Sequence, residues 1–341
     1  MKKINISQIG FILAVLVLSF VSTLGMIFFF LFPLYWFGNI FGLPDTWPQD
    51  WETSPFIEMV TPIAFLSIAI ILLYIIVGFL IRRYKLSILG SVVLYIPIFA
   101  YFSFAMAFMF TGAGILFVLW IPFIDYCPEI VKLGDIVLLP LLPFFLPIFI
   151  PNDVIRTFFI LFIPYILLLF LIPGLGVTIF FFSTAEWFYR RLTGHEIIVS
   201  GIYRYSRHHQ YLGFLIWSYG ILLYAFLFSF LDVKPPLPTF FWLLNALVII
   251  AVALFEENKL IRTQNAEYNQ WRDKTPFMFP LPNLASKLLI MPVKVVLKKE
   301  WPENGRDIVF VILFYGMVLV LLSTLYSILF YEIILSWYDI S

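Results

Sequence analysis

The sequence predicts an all-α, polytopic integral membrane protein of about eight or nine transmembrane helices, on three observations. Hydrophobic residues fill 62% of the 341 positions, charged residues only 12%, and 41 positions are Phe. A water-soluble domain of this length cannot bury so much apolar surface. Apolar runs recur at roughly 20 residues or more, the length a helix needs to cross a hydrocarbon layer about 30 Å thick. The alternating pattern of barrel strands is missing, so the backbone must satisfy its hydrogen bonds inside helices.

Taken in order, the predicted spans are about 8 to 37, 59 to 81, 86 to 108, 112 to 124, 136 to 150, 157 to 182, 210 to 231, 237 to 255 and 307 to 336. The first follows Met1-Lys2-Lys3 and continues without a small-residue cleavage site, which reads as a retained span rather than a signal peptide. Residues 86 to 124 are read as two short spans turned at Thr111-Gly112-Ala113-Gly114, because one long span would put Arg190 and Arg191 on the face opposite Arg82 and Arg83. The proline-rich stretch Pro140 to Pro151 reads as kinked or partly re-entrant. With the N-terminus cytosolic, nearly all Lys and Arg gather on the cytosolic face, while the first outer loop holds Asp45, Asp50, Glu52 and Glu58.

Three regions follow: residues 1–156 as a transmembrane scaffold, 157–282 as the region that bears the polar residues, and 283–341 as a basic interfacial segment with a last span. The basic segment, Lys287 to Lys299, interleaves cations with apolar residues as a surface-lying helix does. A net charge of +1 gives no reason to expect nucleic acid, and membrane lipids are the expected surroundings. Cys127 is the only cysteine, which excludes an internal disulfide.

Against this apolar background two polar segments stand out. The first, His195 to Gly213, holds all three histidines, His195, His208 and His209, and leads into a span. The second begins at Glu256-Glu257-Asn258-Lys259-Leu260 at the end of the next span and continues through Tyr268, Trp271 and Thr275-Pro276. The short link Asp232-Val233-Lys234-Pro235-Pro236 forces the two spans into an antiparallel hairpin, so both segments reach the same membrane face. On a helix Arg204 and His208 share a face, as do Arg207 and Tyr211. Polar groups at a lipid boundary are costly and mark a candidate site. A metal centre is not expected, because neither His-x-x-x-His nor Glu-x-x-His spacing occurs. No Walker loop, Rossmann fingerprint or nucleophile motif is present, and Gly174-Leu175-Gly176 reads as helix packing.

These residues resemble the membrane-embedded S-adenosylmethionine methyltransferases that include isoprenylcysteine carboxyl methyltransferase and the phospholipid N-methyltransferases. That family's pattern is a histidine, Gly-x-Tyr, Arg-His-Pro-x-Tyr-x-Gly and, after a hairpin, Glu-Glu-x-x-Leu, Phe-Gly and two spaced aromatics. Here His195, Gly201, Tyr203, Arg207, His208, Tyr211 and Gly213 match, then Glu256, Glu257, Leu260, Tyr268 and Trp271. The likeness covers about 80 residues and nothing before Phe180. It implies S-adenosyl-L-methionine as cofactor, held by His195, Ile198, Tyr203, Arg207, His208, Tyr211, Gly213, Glu256 and Glu257. Aromatic faces and carboxylates suit its sulfonium, and Arg207 and His208 suit its carboxylate. Arg207, His209 and Glu257 are the expected catalytic residues.

The departures shape the expected acceptor. His209 replaces the pattern's proline, and Gln264-Asn265 replaces Phe-Gly. Where the isoprenylcysteine enzymes carry a carboxylate-binding arginine, one turn before the first glutamate, this chain has Val252. An apolar valine cannot bind a carboxylate, so the acceptor is expected to be an amine, a thiol or another lipidic, prenylcysteine-like group rather than a prenylcysteine acid. His209 could serve as a general base for it. Two rivals stand beside this reading: an NADPH-dependent reductase of the steroid 5-alpha-reductase kind, which has a related Arg-His-Pro-Asn-Tyr segment, and a non-catalytic membrane scaffold.

Overall fold

The computed structural model describes residues 6–41, 55–98, 119–149, 170–194, 198–199, 201–230, 239–263, 266–299 and 301–338. Among the described residues the regular structure is all helical, with no strand. The α-helices are α1 (Ile6–Phe41), α2 (Pro55–Leu80), α3 (Tyr84–Tyr95), α4 (Ile121–Tyr126), α5 (Pro128–Val131), α6 (Ile172–Leu192), α7 (His209–Phe230), α8 (Thr239–Thr263), α9 (Ala266–Lys274), α10 (Asn283–Leu297) and α11 (Gly305–Tyr338). Four of these, α1, α2, α8 and α11, carry runs long and apolar enough to cross a membrane. The outward residues of α1, α2 and α11 are apolar too: Leu13, Val17, Leu66, Leu73, Leu313 and Leu321 are all more than half exposed. Exposed apolar surface of this extent is compatible with lipid contact. Two hydroxyls of α1 bond back to their own backbone, Ser19 to Val15 O at 2.9 Å and Thr23 to Ser19 O at 2.8 Å, so they leave no donor unsatisfied in an apolar setting.

The expected spans at 8 to 37 and 307 to 336 fall within helices, and those at 59 to 81, 210 to 231 and 237 to 255 coincide with α2, α7 and α8 over their described residues, apart from Ile81, which follows α2. The expected span from 86 starts in α3, which ends at Tyr95. The Thr111–Gly114 turn and the first half of the span from 157 lie outside the described residues. Lys132–Phe149, around the expected span at 136 to 150, is a 3-10 helix. Pro140, Pro143 and Pro147 explain it in part, since a proline offers no N–H to an α-helical ladder.

The chain forms two compact units. One comprises Met1–Phe29, Ile172–Ser218 and Ala253–Val311; the other comprises Phe30–Leu171, Tyr219–Val252 and Ile312–Ser341. In the second unit, α2 and α3 pack as a hairpin. The turn between them is tightened by Arg82 at φ 57. Gly78 and Gly90 permit the close approach: a Cβ on Gly90 would lie 2.8 Å from Ile75 Cγ1. Ser87 Oγ donates to Ile75 O at 2.8 Å across the same contact. Trp120 donates through Nε1 to Leu94 O at 2.9 Å and stacks on Phe241 of α8, with ring centroids 5.1 Å apart. Gly134 lets the start of the 3-10 helix meet α8, since a Cβ there would sit 2.6 Å from Phe240 N.

In the first unit, α6 and α7 cross at two glycines. A Cβ on Gly176 would lie 2.6 Å from Trp217 Cα, and one on Gly213 would lie 2.6 Å from Phe180 N. Small residues at such a crossing let the backbones approach, as in helix pairs within lipid. Gly174, by contrast, has open space around it. The basic segment of the tail forms α10, closed by Lys298 in the left-handed conformation, with Lys287 and Lys294 exposed beside exposed Leu288, Leu289, Met291, Val295 and Val296.

Candidate functional site

The first unit holds the polar constellation, on the start of α7, the end of α8 and the segments that follow. The chain enters it through Gly201, at φ +60, which opens a 3-10 turn over Gly201–Arg204. Two constraints favour glycine at this position: the left-handed backbone, and the Glu186 carboxylate, whose Cδ would be 2.8 Å from any Cβ. Glu186 is itself bonded by Arg190 one turn later on α6 at 2.9 Å. The turn buries Tyr203, whose hydroxyl lies 3.5 Å from Ser183 O. A backbone bond from Arg207 N to Pro276 O at 3.1 Å fastens the approach to α7 onto the segment after α9.

At the centre is Glu257, fully buried. Arg207 Nη1 donates to its Oε2 at 2.9 Å, and His208 Nε2 lies 3.3 Å from its Oε1, close enough to donate as the Nε2-protonated tautomer. Its neighbour Glu256 is exposed and accepts the Tyr211 hydroxyl at 3.0 Å. Adjacent positions on α8 thus take different roles because their side chains leave the helix in different directions. The His208 ring is stacked beside Tyr211 at 5.8 Å and meets the edge of Phe277 at 4.9 Å. His209 makes an edge contact with Tyr203 at 5.5 Å.

Arg207 is also enclosed by aromatic rings. Its guanidinium carbon lies 5.7 Å from the Phe277 ring centre and 5.4 Å from that of Trp301, while Arg272 lies 5.5 Å from Trp301. Burial presses the Arg207 guanidinium below its usual pKa, and the Glu257 carboxylate opposes that shift. Burial pushes the Tyr268 phenol up to about 12, with Glu257 adding to the rise and Arg207 and Arg272 opposing it. Several buried atoms, Arg207 Nε, Trp271 Nε1, Trp301 Nε1 and His209 Nδ1, make no hydrogen bond among the described residues. Three of these are N–H donors, and two of them belong to Arg207 and the Trp301 ring that lies against it.

Of the residues expected at the site, Tyr203, Arg207, His208, His209, Tyr211, Glu256 and Glu257 all belong to this unit, and contacts join Arg207, His208 and Tyr211 to the glutamate pair. Gly213 lies in the α6–α7 crossing. Ile198 is half-buried in irregular chain. His195, Gln264 and Asn265 lie outside the described residues. Val252 is buried. Sequence reasoning did not reach Phe277, Trp301 or Arg272; a spaced pattern of aromatics was visible only as far as Trp271. Among the described residues no three His, Cys, Asp or Glu side chains gather as a metal site.

His209 supplies a pH dependence. It precedes the expected span from Gln210, and burial lowers its pKa from 6.5 to about 4, with the nearby His208 adding slightly and a backbone bond at Ser206 opposing. The unfolded chain therefore takes up a proton as pH falls below about 6.5, before the folded chain does. Stability attributable to this group is complete above that pH and declines towards about 4, by about 3 kcal/mol in all. Thermal unfolding of the detergent-solubilised protein should show this loss, and His209→Gln should remove it; equal acid slopes in the two proteins would refute it.

No protein-family model, curated protein or solved structure matches this chain.

Proposed function

We propose that the protein is a membrane-embedded methyltransferase of the kind its motifs resemble, using S-adenosyl-L-methionine to methylate a lipidic or membrane-partitioned amine, thiol or related acceptor. It would have eight or nine spans, with the site at the cytosolic face where the basic residues accumulate. The observation that carries this reading is the buried Arg207–Glu257–His208 cluster, with unsatisfied donors and aromatic faces around it.

The residues present fit the cofactor's chemistry. Its carboxylate would take the free N–H groups of Arg207, Trp271 and Trp301, and its sulfonium would be held by aromatic faces and by Glu256. Glu257, paired with Arg207 and His208, would orient the guanidinium and the imidazole beside the cofactor. The bound cofactor supplies a methyl group already activated for displacement, so the protein's contribution is positioning and exclusion of water. His209, neutral at pH 7 and with Nδ1 unengaged, is in the form that can accept the acceptor's proton.

The test is equilibrium binding of S-adenosylmethionine and NADPH to purified protein, followed by incubation with methyl-labelled cofactor and native lipid extract. The expected result is S-adenosylmethionine binding and a labelled lipid, with His209→Gln binding cofactor normally but turning over about 100-fold more slowly. Retention of NADPH with S-adenosylmethionine ignored would replace this reading with the reductase. No binding of either, or binding indifferent to Glu256→Gln and His208→Ala, would leave a scaffold.

A further inference from the structure

The second unit contains a buried carboxyl that the proposed methyl transfer does not use. Asp135, at the start of the 3-10 helix, is 9% exposed. Its Oδ1 lies 2.6 Å from Thr239 Oγ1 of α8, and its Oδ2 lies 2.8 Å from Ser327 Oγ of α11. Around it, Tyr219 of α7 donates to Val137 O at 2.6 Å and Ser323 of α11 accepts from Ile136 N at 3.2 Å. Three helices thus bind this short stretch of chain through hydroxyl groups.

The proton count at Thr239 decides the state of the acid. A threonine hydroxyl has one proton to give. Thr239 Oγ1 lies within bonding distance of two oxygens, Asp135 Oδ1 at 2.6 Å and Val131 O at 2.9 Å. If Asp135 were ionised, both would be acceptors competing for one proton. If Oδ1 carries a proton, it donates to Thr239, and Thr239 donates onward to Val131 O, so both short distances are complete hydrogen bonds. The electrostatic surroundings agree. The titratable groups that act on Asp135 are Glu129 and Lys132 from its own stretch of chain, with Tyr326 of α11 beside it and Tyr219 of α7 beside Tyr326; α8 brings the Thr239 hydroxyl. Lys132 lies 3.3 Å from Glu129, and among the described residues no cation forms an ion pair with Asp135. Burial raises the Asp135 pKa and Glu129 adds to the rise, while the Thr239 and Ser327 hydroxyls and Lys132 oppose it.

We propose that Asp135 is a proton-binding site: the acid is protonated at neutral pH and, through Thr239, its proton fastens the start of the 3-10 helix to α8. Losing the proton turns the Thr239 hydroxyl towards the carboxylate and releases Val131 O, so occupancy of this site by a proton is read out as the Thr239–Val131 link. The site is separate from the Arg207–Glu257 cluster and does not depend on the function assigned to it.

Infrared spectroscopy of the unmodified protein, prepared with carbon-13 at aspartate side-chain carboxyls, tests this directly. A carboxylic-acid carbonyl band that is present at pH 7 and displaced by the label is expected; no such labelled band would overturn the proposal. Asp135→Asn should abolish it, and persistence of the band in that variant would assign the proton elsewhere and equally overturn it. Asparagine can imitate the protonated acid, donating to Thr239 and accepting from Ser327. Stability due to a carboxyl that stays protonated when folded is fully present below about pH 3.9, where the unfolded aspartate is also protonated, and is lost as pH rises towards the folded pKa. The melting temperature of Asp135→Asn minus that of wild type should therefore increase with pH above about 4. A flat or falling difference would count against protonation, and the isotope measurement stands even if the variant fails to fold.

Discussion

Replacing Glu257 with Ala is expected to destabilise the protein by about 3–5 kcal/mol, one of the two largest single-site effects anticipated here. The carboxylate is fully buried, and it is the partner of an arginine whose side chain is only 7% exposed. Its removal leaves the guanidinium without a countercharge and opens a cavity beside His208. The same reasoning makes the double variant informative. Arg207→Met with Glu257→Leu removes both charges, and a buried pair replaced by apolar groups of similar volume often costs little or nothing. Thermal or denaturant unfolding in detergent should therefore show a severe loss in Glu257→Ala and substantial recovery in the double variant. Equal loss in both would mean that the pair itself, rather than the uncompensated charge, dominates.

The second large effect belongs to the α6–α7 crossing. Gly213→Val would place a branched Cβ 2.6 Å from Phe180 N and 2.9 Å from Gly176 O, backbone atoms that cannot rotate aside. The helices must separate, and overpacking of this kind costs about 1–3 kcal/mol or more. Gly174→Val is the internal comparison, since nothing lies within 4 Å of a Cβ there, and a change within about 0.5 kcal/mol is expected. Similar melting temperatures for the two variants would refute the crossing. The family pattern counts Gly213 among the cofactor residues, and in this structure its visible constraint is steric.

Hydropathy located the helices that coincide with apolar runs but not where they end. The run expected to finish near 255 belongs to a helix that continues to Thr263, through Glu256, Glu257, Asn258 and Lys259. Likewise α6 extends to Leu192, well past residue 182, stabilised by the Glu186–Arg190 pair one turn apart. Hydropathy reports preference for lipid, whereas a helix persists wherever the backbone ladder and side-chain pairs sustain it. At the site, adjacency along the chain and the hairpin were enough to bring the glutamate pair towards Arg207, His208 and Tyr211. They could not show which glutamate would be buried, because that depends on the direction of each side chain. Trp301 was illegible for a different reason: it stands 94 positions after Arg207, in a segment whose sequence reads only as a basic flank.

The hydroxyl partners of Asp135 have a consequence for biosynthesis. Because the ribosome makes the chain from its N-terminus, this acid is synthesised 104 residues before Thr239 and 192 before Ser327. Until α8 and α11 arrive, it has neither the acceptor that takes its proton nor the donor that satisfies its other oxygen. A nascent chain halted before residue 327 would therefore present an incompletely bonded carboxyl next to apolar helices, a feature that distinguishes an unfinished molecule from a finished one. α11 thus completes a contact that Asp135 lacks until residue 327 has been made.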